Sequence, residues 1–112
     1  MIEVSTQELG KAVVLFVTGD VDLYSSPEVR KELIALTEKK VKNILVDLNK
    51  VSYMDSSGVA TLVEGLQQVG KYTGKLLLYG LDSVVKEVFE LSRLDKVFDI
   101  YPDQDAAMEA IS

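Results

Sequence analysis

The sequence predicts one α/β domain, with a mixed but mostly parallel β-sheet, an opening hairpin and about four helices. Three observations support this fold class. The chain has 112 residues, the size of one domain, so the domain is expected to span 1–112. Apolar residues make up 47% of it and charged residues 27%, a composition typical of a chain with a packed core. Short apolar runs rich in β-branched residues alternate with segments of helical periodicity, the pattern of βαβ units.

The first half of the chain predicts a hairpin, a helix and a buried strand. The helix begins either with Ser26 as N-cap and Pro27 as first helical residue, or with Ser25 and Glu28 as a capping box. Apolar residues at helical spacing continue it to two lysines, which suit a helix C-terminus. The predicted elements are an edge strand at 2–9, a turn at 10–11, a buried strand at 12–18, a polar loop at 19–24, a helix at 26–40 and a buried strand at 44–48.

The second half repeats the alternation of helix and strand. Gly74 is expected to end the longest helix, and Pro102 to start the last one. The third helix is expected to direct four apolar side chains inward, namely Val84, Val85, Val88 and Phe89. The predicted elements are a connection at 51–55, a helix at 56–72, a short buried strand at 76–79, a helix at 82–91, a strand at 97–100 and a short helix at 102–111.

The composition excludes several classes of function. The chain has neither histidine nor cysteine, so a Ser-His-Asp triad, a thiol nucleophile and an ordinary zinc site are impossible. The net charge of −6 disfavours nucleic acid and anionic membrane surfaces as partners. Neither a membrane-spanning run nor a signal peptide is evident, so a cytoplasmic location is expected.

Two loops are expected at the carboxyl ends of parallel strands, where α/β sheets place their sites. They cover residues 19–26 and 51–58. In the second loop Asp55 or Ser56 can cap the following helix, which alone would explain these residues. A glycine such as Gly58 makes a helix interior about 1 kcal/mol less stable than alanine does. The compensating benefit could be binding, because without a Cβ a partner can approach the first turn of the helix closely.

A phosphate on Ser56 or the adjacent Ser57 would lie at the positive end of the helix dipole. It would also face Asp55 and the carboxylates of the first loop, Asp20 and Asp22, so a binding surface could change charge without unfolding. The simpler interpretation of the first loop is a solvated turn.

Three other residues have competing interpretations. Asp47 could accept a phosphoryl group, although a strand-end carboxylate held by backbone amides is favoured. Tyr24 and Tyr53 could contact a partner, although packing in the core or at its rim is the favoured role.

The run Tyr53-Met54-Asp55-Ser56-Ser57-Gly58 resembles the signature of anti-sigma factor antagonists, the bacterial single-domain STAS proteins. The resemblance covers nearly the whole chain. Residues 19–22 match the first loop of that family, 44–48 its central strand, and 89–98 its late helix and strand. The chain departs from the family at Val59 and Ala60, where Leu and Gly are frequent, and at 79–82, which lacks the usual Pro or Asn.

The resemblance implies a protein that binds an anti-sigma factor when unphosphorylated and so releases a sigma factor. The anti-sigma factor would be a serine kinase that supplies the ATP and metal, and a metal-dependent serine phosphatase would reset the chain. The implied phosphorylation site is Ser56, with Ser57 as the alternative. The implied partner-binding residues are Asp20, Asp22, Tyr24, Ser25, Asp55, Ser57 and Gly58. The chain itself would be a monomer that needs no cofactor and catalyses no reaction.

Three other functions are compatible with parts of the sequence. A phosphotransfer receiver fits the length and the α/β pattern, but Asp47 lies within its strand, and no lysine ends the strand at 76–79. A Ser-Lys hydrolase would need a lysine placed to meet Ser56. A STAS subunit of a larger signalling or transport complex is the third, but such relatives often lack a serine at this position.

Overall fold

The computed structural model describes residues 2–112, and these form one mixed five-stranded sheet packed by four helices, as predicted. The strands lie side by side in chain order. Strand β1 is antiparallel to β2, and every later pair is parallel. The strands are β1 (Glu3–Leu9), β2 (Ala12–Thr18), β3 (Asn43–Lys50), β4 (Lys75–Tyr79) and β5 (Asp99–Tyr101). The helices are α1 (Ser26–Glu38), α2 (Ser56–Gly70), α3 (Ser83–Leu91) and α4 (Gln104–Ile111), with a short 3₁₀ turn at Leu94–Lys96.

The central strands are buried on both faces, which explains their nearly continuous apolar sequences. Alternate side chains of β3 point to opposite faces, so Val46 packs with the main core and Leu45 with a smaller one. Helices α1, α2 and α3 contribute buried residues to the main core, and α4 contributes Ala107 to the smaller one. Each crossover between parallel strands therefore places its helix on the same face of the sheet, as right-handed connections between neighbouring strands require.

The structure corrects the predicted beginning of α1. The N-cap is Ser25 and not Ser26, and its side chain makes no capping hydrogen bond, so the capping box with Glu28 does not form. The Ser25 hydroxyl is used in the preceding loop instead, where it donates to the Asp20 carbonyl oxygen at 2.7 Å.

The last third of the chain also differs from the prediction. Val84 is 53% exposed and does not point inward with Val85. The last strand begins at Asp99 and not at Val97, because Val97 and Phe98 form the bend that follows the 3₁₀ turn. Helix α4 does not start at Pro102: its N-cap is Asp103, whose Oδ1 accepts a 2.9 Å hydrogen bond from the Ala106 amide.

No helix within residues 2–112 is both long enough and apolar enough to cross a lipid bilayer.

Candidate functional site

The two loops singled out by the sequence are joined by backbone hydrogen bonds. Val21 and Met54 form an isolated parallel bridge beyond the ends of β2 and β3. The Val21 amide donates to the Tyr53 carbonyl oxygen at 2.9 Å, and the Asp55 amide donates to the Val21 carbonyl oxygen at 3.0 Å. The first loop is therefore fixed against the beginning of α2, as the parallel sheet predicted.

Asp55 caps helix α2. Its Oδ1 accepts hydrogen bonds from the Ser57 amide at 2.9 Å, the Ser57 hydroxyl at 2.5 Å and the Gly58 amide at 3.4 Å. These bonds lower the pKa of Asp55, the Ser57 hydroxyl having the largest effect, and the Leu23 amide adds to it. Asp55 is therefore ionised at neutral pH, and it satisfies amides that the helix leaves free.

The two adjacent serines have different surroundings. Ser57 is half-buried, and its hydroxyl is bound to Asp55. Ser56 is exposed as the first residue of α2, and within residues 2–112 its hydroxyl makes no hydrogen bond. Of the two hydroxyls, the structure leaves that of Ser56 open to another protein.

The first loop is organised around Asp22. Its Oδ1 accepts hydrogen bonds from the Tyr24 amide at 2.9 Å and the Ser25 amide at 3.0 Å, and these bonds lower the pKa of Asp22, the Ser25 amide most strongly. The negative charge of Asp55 opposes this shift and has the smallest effect on the pKa of Asp22. The structure thus brings together two ionised carboxylates beside the start of α2.

The remaining predicted residues of this loop have mixed roles. The Asp20 carboxylate is exposed and accepts a 3.3 Å hydrogen bond from the Ser52 hydroxyl, which links the two loops again. The Ser25 hydroxyl binds within the loop, so Ser25 supports the surface more than it offers a free contact.

The tip of the loop exposes apolar side chains. Tyr24 is 90% exposed and Leu23 68% exposed, and Tyr53 on the second loop is 47% exposed. The favoured prediction for Tyr24, packing in the core or at its rim, is therefore wrong. Leu23 was missed by the sequence reasoning, although an apolar residue inside an otherwise polar loop was a signal that could have found it. We call Leu23, Tyr24 and Tyr53 the apolar patch.

Gly58 has a different role from the one predicted. It is buried, and a Cβ there would lie 2.7 Å from both Val21 Cγ1 and Met54 Cγ. The missing side chain thus gives space to the residues that bridge the two loops and does not open the helix to a partner. Gly58 can influence binding by allowing the loops to pack this closely.

Asp47 lies in a separate cluster toward α4. Its Oδ1 accepts from the Asn49 amide at 2.9 Å, which agrees with the favoured prediction, and its Oδ2 accepts from the Tyr79 hydroxyl at 3.0 Å. The Tyr79 hydroxyl accepts in turn from Gln104 Nε2 at 3.0 Å. Burial raises the pKa of Tyr79 to about 12. In the described residues, Asp47 joins no group of three potential metal ligands.

Comparison with known proteins identifies the family of the chain. The family model described as STAS domain matches residues 3–107. An anti-sigma-B factor antagonist from Listeria monocytogenes is 31% identical over 86 residues, covering 77% of this chain and 75% of that protein.

Solved structures share the fold. An anti-sigma factor antagonist from Mycobacterium paratuberculosis superposes with a TM-score of 0.91 at 24% identity, covering 98% of this chain and 93% of that one. The Bacillus cell fate determinant SpoIIAA in its phosphorylated form has a TM-score of 0.75 at 18% identity, covering 98% and 100%. With a family match over nearly all of its length, and with the serines of the signature at the start of α2, the chain belongs to the STAS domain family.

Proposed function

We propose that this protein is an anti-sigma factor antagonist that is controlled by phosphorylation of Ser56. In the unphosphorylated state it binds an anti-sigma factor that is also a serine kinase, and a sigma factor is released. The single observation that carries the proposal is the contrast between the exposed, unbonded hydroxyl of Ser56 and the bound hydroxyl of Ser57.

Access to the hydroxyl explains the choice of Ser56. A kinase must place the hydroxyl oxygen in line with the γ-phosphoryl group of ATP. The serine oxygen then gains the phosphoryl group, the hydroxyl proton leaves, and ADP is released. The Ser56 hydroxyl can turn toward such a site freely, whereas that of Ser57 would first lose its 2.5 Å hydrogen bond to Asp55. ATP and metal ions belong to the kinase in this scheme.

The electrostatics of the surface explain how a phosphate would end binding. A phosphoserine adds a charge of about −1.5 to −2 at neutral pH. It would stand next to Asp55 and near Asp22, both of which are ionised. A partner that fits the neutral serine between these carboxylates and the apolar patch would then have to desolvate a strongly negative group. A metal-dependent serine phosphatase would restore the binding state.

The decisive experiment is to map the phosphate after incubation with the cognate anti-sigma kinase and ATP, the kinase having been recovered from the native cytoplasm. Wild type, Ser56→Ala and Ser57→Ala are compared by mass spectrometry. We expect one phosphate on wild type and on Ser57→Ala, and none on Ser56→Ala. Phosphate on Ser57, Asp47 or another residue of the wild type would overturn the assignment.

Binding is tested separately from modification. Calorimetry of the unmodified chain with the anti-sigma factor should give a complex that Ser56→Ala preserves and that Ser56→Asp weakens by roughly 100-fold, since charge repulsion at an interface commonly costs several kcal/mol. The variant Thr73→Asp, which adds the same charge in the exposed turn between α2 and β4 at the opposite end of the domain, is the control and should leave the affinity unchanged.

A further inference from the structure

Half of the basic residues of this acidic chain lie in three turns at one end of the domain. The turns join β1 to β2, α1 to β3 and α2 to β4. Each of them precedes a parallel strand, so all three lie at the amino ends of the strands, opposite the carboxyl ends that carry Ser56. These lysines are Lys11, Lys39, Lys40, Lys42, Lys71 and, at the first position of β4, Lys75; we call the six residues the lysine end.

The lysine end has one sign of charge. Residues 10–11, 39–42 and 71–75 contain six lysines and no acidic residue, and all six lysines are exposed. Within the part of the chain that the structure describes, none of the six takes part in an ion pair. The acidic neighbours along the chain are Glu8, in β1, and Glu38, at the last position of α1.

The three turns are held in a fixed arrangement. The Tyr72 hydroxyl donates to the Val41 carbonyl oxygen at 2.7 Å, and the Lys75 amide donates to the Lys42 carbonyl oxygen at 2.7 Å. The Asn43 side chain donates to the Lys11 carbonyl oxygen at 3.1 Å. The backbone below the lysines is thus ordered before any partner arrives, which reduces the entropy lost on binding.

Lys40 has an unusual backbone for its residue type. It follows the C-cap of α1 with a φ of 56°, in the left-handed region where glycine is the usual residue because it lacks a Cβ. Thr73 in the third turn and Arg93 before the 3₁₀ turn have the same left-handed backbone. This conformation is therefore not specific to lysine, and the lysine end is distinguished by its exposed positive charges.

We propose that the lysine end binds the surface of a bilayer that contains anionic lipids. Lysine ammonium groups on flexible stems suit mobile headgroups, and each adds to the attraction when it lies near the surface. The lysine end contains no arginine, the residue that recognises bases through paired hydrogen bonds. It also exposes no aromatic ring on which a base could stack, because Tyr72 is half-buried and its hydroxyl is hydrogen-bonded. These features favour a membrane surface over nucleic acid.

The net charge of −6 does not prevent such binding. The domain measures 29 × 25 × 22 Å, whereas charges are screened over about 8 Å at physiological ionic strength. The carboxylates around Ser56 are therefore screened from a surface touched by the opposite end. The sequence led us to expect no membrane partner, because the net charge is negative. That net charge is a sum over the whole chain and does not show that the two ends of the domain carry charges of opposite sign. A chain bound in this way would present Ser56 to the solution.

The test is sedimentation of the full chain with vesicles of phosphatidylcholine alone or mixed with phosphatidylglycerol. We expect binding to the mixed vesicles at low salt, loss of that binding at high salt, and none to phosphatidylcholine. The triple variant Lys11→Gln/Lys42→Gln/Lys71→Gln removes one charge from each turn and should weaken partition by roughly 100-fold.

A matched control removes three lysines elsewhere. Lys31→Gln/Lys86→Gln/Lys96→Gln has the same net charge as the first triple variant and should bind mixed vesicles within a few-fold of wild type. Equal losses in the two triple variants, equal binding by wild type and the first variant, or binding of duplex DNA without binding of vesicles would each overturn the proposal. Thermal unfolding of both variants verifies that they are folded.

Discussion

The Ser57 hydroxyl donates a 2.5 Å hydrogen bond to Oδ1 of Asp55, the carboxylate that caps helix α2. This bond distinguishes two adjacent serines that are chemically identical in the sequence. It also contributes most to the lowered pKa of Asp55. The same contact therefore orders the helix start, keeps a negative charge beside Ser56 and leaves Ser56 as the open hydroxyl.

Asp55→Ala should lower the free energy of unfolding by about 1 kcal/mol at pH 7, the usual cost of losing a helix N-cap. The pKa of Asp55 is lowered in the folded state, so its ionised form contributes stability above the ordinary value of 3.8, and that contribution is lost as the pH falls through the lowered pKa. Urea unfolding of wild type and variant at neutral and acidic pH measures this. A stability difference that grows toward acidic pH would contradict the proposed role.

Gly58→Ala should destabilise the protein by about 1–3 kcal/mol, the usual range for overpacking a core. The added Cβ would meet Val21 and Met54 at 2.7 Å, although alanine is intrinsically the better helix former. Gly70→Ala is the control, because a Cβ at this last residue of α2 has no neighbour within 4 Å. We expect Gly70→Ala to be neutral or to stabilise by up to about 1 kcal/mol, as measured by thermal unfolding.

Tyr79→Phe should change how stability depends on alkaline pH. Because burial raises the pKa of Tyr79 from 10.0 to about 12, the neutral phenol contributes stability that is complete below pH 10 and is lost as the pH rises toward the folded value. Wild type should therefore lose more stability than Tyr79→Phe over that interval. Near neutral pH the variant should be about 1 kcal/mol less stable, since it loses the hydrogen bonds to Asp47 and Gln104. Parallel alkaline losses in the two proteins would be the contrary result.

Tyr24→Ser should weaken binding of the anti-sigma factor by about 30-fold or more while leaving the melting temperature unchanged. Exposed aromatic residues near the centre of an interface commonly contribute 2 kcal/mol or more, and Tyr24 is 90% exposed, so its loss does not open the core. Leu91→Ser removes another apolar side chain, 78% exposed on α3, and should leave the affinity as in wild type. A larger effect at Leu91 would place the partner on α3 and not at the apolar patch.

Periodicity predicted the sheet and helices well, because the buried strands and the inward faces of α1 and α2 carry clear patterns. Periodicity failed to predict features that depend on local geometry, such as which way one side chain points and where a helix begins. Val84 has the residue type of a core position, yet α3 turns it to solvent, and the proline at 102 looked like a helix start although Asp103 provides the cap. Such details depend on packing and on hydrogen bonds that residue type does not determine.

The sequence was enough to predict where the candidate site lies, but not what each of its residues does. The order of strands and loops was enough to bring residues 19–26 next to 51–58. It did not separate Ser56 from Ser57, because the bond to Asp55 depends on side-chain geometry. Nor could it show that Gly58 serves packing, since the neighbours that fill its space come partly from a loop 37 residues earlier, at Val21.

The strand order of the sheet has a consequence for folding. Each strand from β2 onward pairs with the strand that precedes it in the chain. No strand has to insert between two that are already paired, so every new strand can add to an existing edge as soon as its helix has been made. Such a sheet can grow in the direction of synthesis on the ribosome, and its pairings close relatively short stretches of chain, which favours fast folding.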